Sequence, residues 1–580
     1  VSFLSGITGQ LYRQFTITIA VSVLLSTVVA LTLSPVMCSL ILKPDSGKKK
    51  NIVFRKINEW LNLGNHKYVA VINRVIRNPR RLMSAFGLVL VAIFIIHRLV
   101  PTSFLPVEDQ GYFKIELELP EGATLERTRV VTDRAVQYLE KNPYVAYVQN
   151  VTGSSPRVGS NQARSELTVI LKPWEERKGI SIDKIMENVE QDLKEYPECK
   201  VYLSTPPVIP GLGTSGGFEM QLEARGEATF DNLVQAADTL MYYAQKHKEL
   251  TGLSSSLQSE IPQLYFDVDR DKVKMLGVPL ADVFSTMKAY TGSVYVNDFN
   301  MFNRIYKVYI QAEAPYREHK DNINLFFVKA KDGVMVPLTS LGNASYTTGP
   351  GSIKRFNMFT TAVIRGSAAQ GYSSGQAMEI MEQIARDHLP DNIGLEWSGL
   401  SYQEKKAGGQ TGLVLTLVFL FVFLFLAAQY ESWTVPIAVL LSLPVAALGA
   451  YLGVVICGLE NDIYFQIGLV MLVGLAAKNA ILIVEFAKVQ VDKGGDLIQS
   501  AIHAAQLRFR PILMTSLAFV LGMLPMVLAS GPGSASRQAI GTGVFFGMIF
   551  AIVFGIVLVP FFFVLVYKTK AKVQHKIKKD

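Results

Sequence analysis

Lys478 is a cation in the middle of an apolar segment, Tyr464–Ala487. At a helical rise of 1.5 Å per residue, Lys478 lies about 21 Å from the first residue of that segment and about 15 Å from Lys488 at its other end. A lysine stem reaches only ~6 Å, so its ammonium group cannot reach the lipid headgroups by extending along the helix. An unpaired cation at this depth costs ~3 kcal/mol or more, and intramembrane ionisable residues commonly line ion pathways. Lys478 therefore predicts an ion or proton pathway; the alternative is an ion pair that only fixes helix packing.

None of the apolar segments holds a carboxylate away from its ends that could pair with Lys478. Glu485 lies near the far edge of the segment and Asp462 precedes it. We therefore expect the pairing carboxylates to come from helices that this sequence does not contain. Thr515, early in the next segment, could relay a proton or satisfy a backbone carbonyl. Arg508 is predicted just outside that segment, where a charge usually serves membrane topology.

The composition is that of a membrane protein. Of the 580 residues, 49% are hydrophobic and only 18% are charged, against roughly a quarter charged in soluble domains. An ordinary soluble enzyme is thereby excluded, and the three cysteines are too few for a disulfide framework. Seven segments approach the roughly 20 apolar residues that cross a bilayer: Phe15–Leu42, Leu82–Val100, Gly412–Ala428, Val435–Cys457, Tyr464–Ala487, Pro511–Ala529 and Ile540–Tyr567.

Basic residues predict which side of the membrane each loop occupies. Residues 43–81 hold 11 Lys/Arg against two acids, and the tail 568–580 holds six lysines. By the positive-inside rule both are cytoplasmic, which places residues 101–406 on the opposite side. The net charge of +9 is then a topological signal, and nucleic acid is not an expected partner. The chain begins at Val1 without an initiator methionine or signal peptide, so we expect a fragment of a longer chain.

Residues 101–406 alternate strand and helix patterns. Tyr112–Leu119 has the period of two of a half-buried strand, and two successive β-α-β/β-α-β patterns indicate two ferredoxin-like split βαβ units. In the second unit, strands are predicted at Leu253–Leu257 and Phe356–Ile364.

The fold class is thus a polytopic α-helical membrane bundle with an α+β extramembrane region. The predicted domains are 1–100 (two membrane helices and a basic linker), 101–215 (first unit), 216–261 with 349–400 (second unit), 262–348 (inserted subdomain), 408–567 (five membrane helices) and 568–580 (basic tail).

Several longer motifs resemble one transporter family. They are Ser103-Phe-Leu-Pro-Val-Glu-Asp-Gln-Gly111, Leu171-Lys-Pro-Trp-Glu-Glu-Arg177, Tyr295-Val-Asn-Asp-Phe299, Tyr430-Glu-Ser-Trp433, Ala477-Lys-Asn-Ala-Ile-Leu-Ile-Val-Glu-Phe-Ala-Lys488 and Arg510-Pro-Ile-Leu-Met-Thr-Ser-Leu-Ala-Phe519. Together they resemble the resistance-nodulation-division (RND) exporters, specifically the hydrophobe/amphiphile efflux family. The resemblance runs through the whole chain and corresponds to the C-terminal half of such a pump.

The resemblance implies a homotrimeric proton/substrate antiporter of the bacterial inner membrane, in contact with lipid and with a large periplasmic region. It implies a periplasmic adaptor and an outer-membrane channel as partners, with an N-terminal half supplied by the same or a separate chain. No cofactor is implied, because a proton gradient supplies the energy. Lys478, Thr515 and Arg508 match members of the family's proton-relay network, and the βαβ units match its porter subdomains. The insert matches the subdomain that docks towards the channel.

One loop departs from the family pattern. Related pumps carry several phenylalanines in a loop that lines the deep drug pocket, whereas residues 153–163 contain none and include Arg157. Arg157 is either a solvated loop charge or a residue that favours anionic or amphiphilic cargo. The segment 206–217 matches a loop at the cleft entrance, where backbone freedom is the expected asset. Its glycines are Gly211, Gly213, Gly216 and Gly217.

Three other functions compete with this interpretation. An RND-type metal exporter would need soft ligands that converge in the cleft, but Met186, Met220 and Met335 have the spacing of core residues. Lipid export is the second competing function. A non-transporting scaffold of the same architecture is the third, and a mid-span lysine argues against it. A hydrolytic enzyme is disfavoured because no nucleophile–base arrangement or phosphate-binding loop is visible.

Overall fold

The computed structural model describes residues 6–41, 52–155, 158–177, 179–194, 196–213, 216–369, 371–408 and 411–577. In these ranges, apolar helices at both ends of the chain flank a central region of mixed α and β structure. Within the described residues, seven helical stretches are long and apolar enough to cross a membrane. The predicted membrane bundle with seven spans is therefore confirmed, although the bounds of several spans differ from the predicted ones.

The first span consists of two helices. They are α1 (Gly6–Leu31) and α2 (Leu33–Ile41), where one segment from Phe15 to Leu42 was expected; Leu42 lies outside the described residues. Pro35 explains the break at Thr32, because a proline has no N–H to donate to the carbonyl four residues earlier. The amphipathic α3 (Ile52–Arg77) and the apolar α4 (Pro79–Leu99) follow.

The first α+β unit is a four-stranded sheet with two crossover helices. Its elements are β1 (Tyr112–Glu118), α5 (Leu125–Glu140), β2 (Val145–Ser155), β3 (Gly159–Leu171), α6 (Ile182–Leu193) and β4 (Lys200–Ser204). The strands lie in the order β2-β3-β1-β4 and all pairs are antiparallel. Phe113, Ile115 and Leu117 are buried in the unit's core, so the alternation of β1 places its charged residues on the opposite face.

The second unit is divided by a large insert. In order, the elements are β5 (Phe218–Ala224), α7 (Phe230–Ala244), β6 (Leu250–Ser255), β7 (Ile261–Val268), α8 (Arg270–Met275), α9 (Leu280–Thr291), β8 (Val294–Met301), β9 (Arg304–Ile310), β10 (Phe327–Lys329), β11 (Met335–Pro337), β12 (Gly342–Gly349), β13 (Lys354–Phe356), β14 (Phe359–Ala368), α10 (Ser374–His388), β15 (Ile393–Trp397) and α11 (Gly399–Gly408). β14 pairs with β5 and β6, and β5 with β15, so the order β6-β14-β5-β15 repeats the first unit's arrangement. Helices α8 and α9 and strands β7–β12 form the insert, which has its own apolar core.

Two predicted strands of this unit were wrong in their bounds. The expected strand Phe356–Ile364 is a hairpin, because Asn357 and Met358 adopt left-handed φ angles of 49° and 73° and reverse the chain. The strand expected at Leu253–Leu257 is β6, which the structure places at Leu250–Ser255. The bounds of β6 follow from its long-range pairing with β14, and a local pattern does not contain that information.

Side-chain caps begin the four crossover helices of the two sheets. Thr124, Ser181, Thr229 and Ser373 each accept a hydrogen bond from the backbone N–H three residues later. Thr229 and Ser373 complete reciprocal capping boxes with the side chains at that third position. Because such caps satisfy N–H groups that a helix leaves free at its start, the sequence itself specifies where these helices begin.

The remaining spans follow α11. Their helices are α12 (Thr411–Tyr430), α13 (Val435–Leu440), α14 (Leu443–Cys457), α15 (Ile463–Asp492), α16 (Leu497–Val527), α17 (Ser534–Phe550) and α18 (Ile556–Ile577), with a π-helical turn at 551–555.

The predicted start of the sixth span at Pro511 was wrong. Asp496 caps α16 by accepting from the N–H groups of Ile498 and Gln499, so the helix starts well before its apolar part and Arg508 lies inside it.

Glycines bring several of these helices into close contact. A Cβ at Gly449 of α14 would lie 2.6 Å from the Phe550 side chain of α17, and one at Gly547 of α17 would lie 2.3 Å from Leu472 of α15. Small residues allow this approach in helices surrounded by lipid. Of the candidate spans among the described residues, the three that contain α14, α15 and α17 are the best buried.

Candidate functional site: a mid-span lysine and a cleft between two sheets

Lys478 lies midway along α15, about 22 Å from either end of the helix. Its side chain is exposed, and within the described part of the chain it makes no ion pair or hydrogen bond. Gly474 one turn earlier is also exposed, and a Cβ added there would meet nothing within 4 Å. Glu485, two turns after Lys478, is exposed as well, about 10 Å away along the axis and too far for direct pairing. This open, partly polar face of α15 is a surface that another helix would have to cover in a bilayer.

Thr515 lies on the same side of the helix pair α15–α16 as Lys478. Asn479 donates a buried hydrogen bond of 3.0 Å to Ser516 across the pair, and Lys478 and Thr515 precede these two residues by one position. In two antiparallel helices, the residue just before each partner of such a bond is rotated to the same side of the pair. The Thr515 hydroxyl bonds the carbonyls of Pro511 at 3.1 Å and Ile512 at 3.2 Å, so it satisfies its own backbone in this structure.

Arg508 lies two turns before Thr515 and stacks on an aromatic ring of α15. Its guanidinium carbon is 3.8 Å from the centroid of Phe486. Its Nε is buried without a hydrogen-bond partner among the described residues. The structure therefore places the three predicted relay residues on two adjacent helices, and among the described residues no hydrogen bond links them to one another.

Three acidic residues lie at the junction of the membrane helices and the α+β region, and the sequence analysis considered only Asp462 among them, as a possible partner of Lys478. Burial raises the pKa of Glu404 to about 7, and the carboxylate of Glu460 adds to the effect. Burial likewise raises the pKa of Asp462 to about 7, and that of Glu460 is raised for the same reason. Their positions in separate polar stretches gave no signal, because only the fold brings α11 against the start of α15.

The junction also connects α15 to the second unit through the backbone. Asn461, next to the N-cap residue of α15, donates from its N–H to the carbonyl of Pro101 at 2.8 Å. The next residue, Thr102, accepts from the N–H of Gly375 in the first turn of α10 at 3.2 Å. A displacement of α15 along its axis would thus act on the second sheet through two hydrogen bonds.

The two sheets turn polar faces towards a common cavity of about 60 Å³. The charged side chains on these faces are largely paired. Lys114 pairs with Glu166, and Arg365 donates from Nε to Glu219 at 2.9 Å. Arg164, adjacent to the predicted loop, is a buried residue that bonds Glu118 and Glu121 and lies 3.5 Å from Glu116. The cavity is lined from one side by Lys114, Glu166 and Ser204, and from the other by Ser254, Arg365 and Ser367.

The four glycines that were predicted to give the loop at the cleft entrance its backbone freedom have different roles. Gly216 lines the cavity, and a Cβ there would lie 2.5 Å from the Thr205 hydroxyl. Gly217, with φ of 111°, approaches the carbonyl of Gly366 so closely that a Cβ would lie 2.4 Å from it. Gly211 and Gly213 adopt φ angles of 88° and 96° outside the cavity lining. Two of the four therefore serve close packing, and Arg157 lies outside the described residues.

The methionines considered for metal export lie in separate places. Met220 is buried in the core of the second unit, Met186 packs against the core of the first, and Met335 is exposed in the insert. Their thioethers do not converge on the cavity. This placement does not favour metal export.

Comparison with known proteins gives a consistent result. A family model described as the AcrB/AcrD/AcrF family matches residues 1–567. The chain is 39% identical over 572 residues to the multidrug/solvent efflux pump membrane transporter MepB of Pseudomonas putida, covering 97% of this chain and 54% of that protein. It is 39% identical to the multidrug resistance protein MdtF and 37% identical to the multidrug export protein AcrF, both of Escherichia coli, again over 97% of this chain and 55% of each relative. The chain thus spans about half the length of the curated relatives it matches.

Proposed function

The chain belongs to the AcrB/AcrD/AcrF family, and from this premise we propose that it forms part of a proton-driven transporter that exports hydrophobic or amphiphilic compounds. Membership of the family confirms the resemblance to RND exporters drawn from the sequence motifs. The observation that carries the proposal is Lys478 at the middle of α15, which is exposed and has no ion-pair partner in the part of the chain that the structure describes. A cation there needs carboxylates from a further helix of the assembled transporter.

Protonation of those carboxylates is the proposed coupling step. While they are ionised they hold Lys478 and the open face of α15; once protonated they leave the ammonium group without a counter-charge. An unpaired charge in low dielectric is costly enough to favour a different position of the helix. The two backbone hydrogen bonds at Asn461 and Thr102 would transmit that displacement to the second unit, which biases the cleft between open and closed states.

The cleft between the sheets is the proposed cargo route. We interpret both units as ferredoxin-like split βαβ porter subdomains, since each has an antiparallel sheet with two crossover helices. The closely packed backbone at Gly216 and Gly217 joins the two units at the cavity. Relative movement of the sheets about this short connection would change the volume of the cavity with little change inside either core.

The proposed assembly is a homotrimer in the bacterial inner membrane, with the α+β region in the periplasm. A periplasmic adaptor and an outer-membrane channel would complete the export path. The insert supports a docking role, because its hairpin β8–β9 exposes a row of large apolar side chains, as interaction surfaces do. They include Tyr295, Phe299, Phe302, Tyr309 and Ile310.

Replacement of Lys478 by alanine tests the function in the assembled transporter. Export of an amphiphilic dye from proteoliposomes, driven by an imposed pH gradient, should fall to the level of empty liposomes with Lys478→Ala. Lys493→Ala, at the exposed end of the same helix, is the matched control and should export at the normal rate. Undiminished gradient-driven export by a folded Lys478→Ala protein would refute the proposed coupling.

A further inference from the structure

The N-terminus of α17 receives its cap from a residue far away in the sequence. Its own N-cap residue is Gly533, which adopts a φ of 65° and makes no side-chain cap, whereas Asp462 caps α15. The carboxylate of Glu108 takes this place, accepting from the N–H of Ala535 at 3.3 Å and of Ser536 at 2.8 Å. Because a helix leaves its first N–H groups free and carries a partial positive charge at that end, a carboxylate is a favourable acceptor there.

The two residues after Glu108 bind the first α+β unit. Asp109 accepts from Nη1 of Arg177 at 2.7 Å, and Arg177, which is only 1% exposed, lies in the loop that follows β3. Gln110 donates from its side-chain amide to the carbonyl of Pro207, after β4, at 3.2 Å. β1 begins two residues later. The cap of α17 is therefore joined to the first sheet by a short stretch of chain that two side-chain bonds hold in place.

The second unit is attached to a different membrane helix. Asn461, at the start of α15, donates to the carbonyl of Pro101 at 2.8 Å, and the carbonyl of Thr102 accepts from the N–H of Gly375 in α10 at 3.2 Å. Both bonds precede Glu108 in the chain, so the attachment to α17 is the one nearer to β1. Where α15 and α17 move differently, the first sheet should consequently follow α17.

The contact between α15 and α17 is made by glycines and aliphatic residues. A Cβ at Gly468 of α15 would lie 3.3 Å from the carbonyl of Ile540, and one at Gly547 of α17 would lie 2.3 Å from Leu472. Packed helices of this kind change their relative position by small sliding movements. Such a movement changes the distance between the two points to which the α+β units are attached.

We propose that Glu108 is a positioning residue that makes the first unit follow α17, while the second unit follows α15. Sliding between the two helices then moves one sheet relative to the other. The inference rests on the proposed function in that it takes the two units as the moving parts of a transporter. Glu108 lies outside the lining of the cavity between the sheets, so its loss should slow the transport cycle without changing the affinity for cargo.

Export kinetics separate this role from a contribution to stability alone. In proteoliposomes with an imposed pH gradient, we expect Glu108→Ala to lower the maximal rate of dye export per folded protein by about fivefold or more. The half-saturating dye concentration should change less than about twofold. Glu108→Gln keeps one acceptor oxygen and should lose less. Glu175→Ala, which removes an exposed acid of the first unit, is the matched control and should export normally.

Ser536 tests the same bond from its other end. Ser536→Pro removes the N–H that Glu108 binds, which in the first turn of α17 has no partner within the helix. Ser536→Ala keeps that N–H and loses only the hydroxyl, which donates to the carbonyl of Gly533 at 3.2 Å. The proline variant should reproduce the loss of rate, the alanine variant should export normally, and this comparison stays informative if Glu108→Ala does not fold.

The double variant Glu108→Ala/Ser536→Pro shows whether the two residues act through each other. If one bond carries the effect, the double variant should export no more slowly than the slower single variant. Losses that multiply, or an undiminished maximal rate in Glu108→Ala, would overturn the proposal.

Spin-label distances test the attachment without any transport. One label at Leu528→Cys, at the exposed end of α16 next to the start of α17, is paired with Lys141→Cys in the first unit or with Lys248→Cys in the second. The three native cysteines are replaced by alanine. We expect Glu108→Ala to broaden the distance distribution to the first unit and to leave that to the second unit unchanged. Equal changes in both, or a change in neither, would overturn the proposed attachment.

The attachment and the proposed function fail in different ways. An unmodified protein that exports no dye under a pH gradient, with selective broadening in Glu108→Ala, would overturn the function and support the attachment. A protein in which Glu108→Ala exports at the normal rate would overturn the attachment and leave the function standing. A lower maximal rate together with selective broadening would support both.

Discussion

Asn479 of α15 donates a hydrogen bond of 3.0 Å to Ser516 of α16, and both side chains are buried. Asn479 directly follows Lys478 in the chain, and Ser516 directly follows Thr515. The bond fixes the rotation of the two helices about their axes, and hence which side of the pair presents the lysine. The orientation of the proposed proton site therefore depends on a neutral hydrogen bond next to it.

Loss of the Asn479–Ser516 bond should weaken helix packing measurably. Ser516→Ala leaves the Asn479 amide without its partner, and hydrogen bonds between membrane helices contribute about 0.6 kcal/mol on average and up to about 2 kcal/mol. We expect a lower melting temperature in detergent and partial recovery in the double variant Asn479→Leu/Ser516→Ala. Thr416→Ala, which removes an exposed hydroxyl bonded within its own helix, is the control and should melt normally.

Stability should fall as pH rises because of the buried junction acids. Glu404 has a pKa of about 7 in the folded chain, against about 4.3 when unfolded. Its raised pKa favours the protonated folded state, so its unfavourable contribution develops between about pH 4 and pH 7 and persists above that. Glu404→Gln can keep the acceptor for Ser374 without the charge, and should raise the melting temperature at pH 8 and change little at pH 4.

The control for this effect is another acid on a neighbouring helix. Glu379→Gln replaces an exposed residue of α10 and should leave the pH dependence of melting unaltered. Glu460 and Asp462 face the same junction, and Lys405 acts on Glu404 from α11. A residual slope in Glu404→Gln is therefore expected; an unchanged slope would contradict the assignment.

Gly449→Ala should destabilise the centre of the bundle. The added methyl group would lie 2.6 Å from Phe550 and 2.7 Å from the Phe546 carbonyl, and such overpacking typically costs about 1–3 kcal/mol. Gly522→Ala in α16, where a Cβ would meet nothing within 4 Å, should be neutral or slightly stabilising because alanine favours helix. Thermal melting of both variants gives the comparison, and equal melting temperatures would contradict the packing argument.

Removal of Arg164 should be severe. Its side chain is 7% exposed and lies within salt-bridge distance of Glu116, Glu118 and Glu121, so Arg164→Met removes the buried cation that these three acids share. Breaking a buried pair in this way costs about 3–5 kcal/mol. Arg129→Met removes an arginine that is 64% exposed and paired with Glu126 and Asp133, where losses stay near or below about 1 kcal/mol. Comparable losses of stability in the two variants would argue against the buried network.

The sequence was sufficient for features that depend on neighbouring residues. Apolar length alone locates seven spans, because a bilayer imposes a minimum run of about 20 residues. Period-two alternation identifies β1 and β5, and serine or threonine caps mark where the crossover helices begin. The depth of Lys478 also follows from counting residues along one helix. Each of these inferences needs only a window of the chain.

Only the tertiary structure determines the features that depend on distant segments. Arg365 lies between Glu219 of β5 and Ser254 of β6 only because β14 pairs with both strands, and no local pattern links these positions. Glu404 acquires its raised pKa only when α11 packs beside Glu460. The start of α16 and the hairpin at Asn357 were misplaced for a different reason: an aspartate cap and two residues with left-handed φ angles decide them locally, and the hydrophobic pattern does not show either feature. Burial and pairing energies depend on what surrounds a side chain in space, and sequence spacing alone does not specify those surroundings.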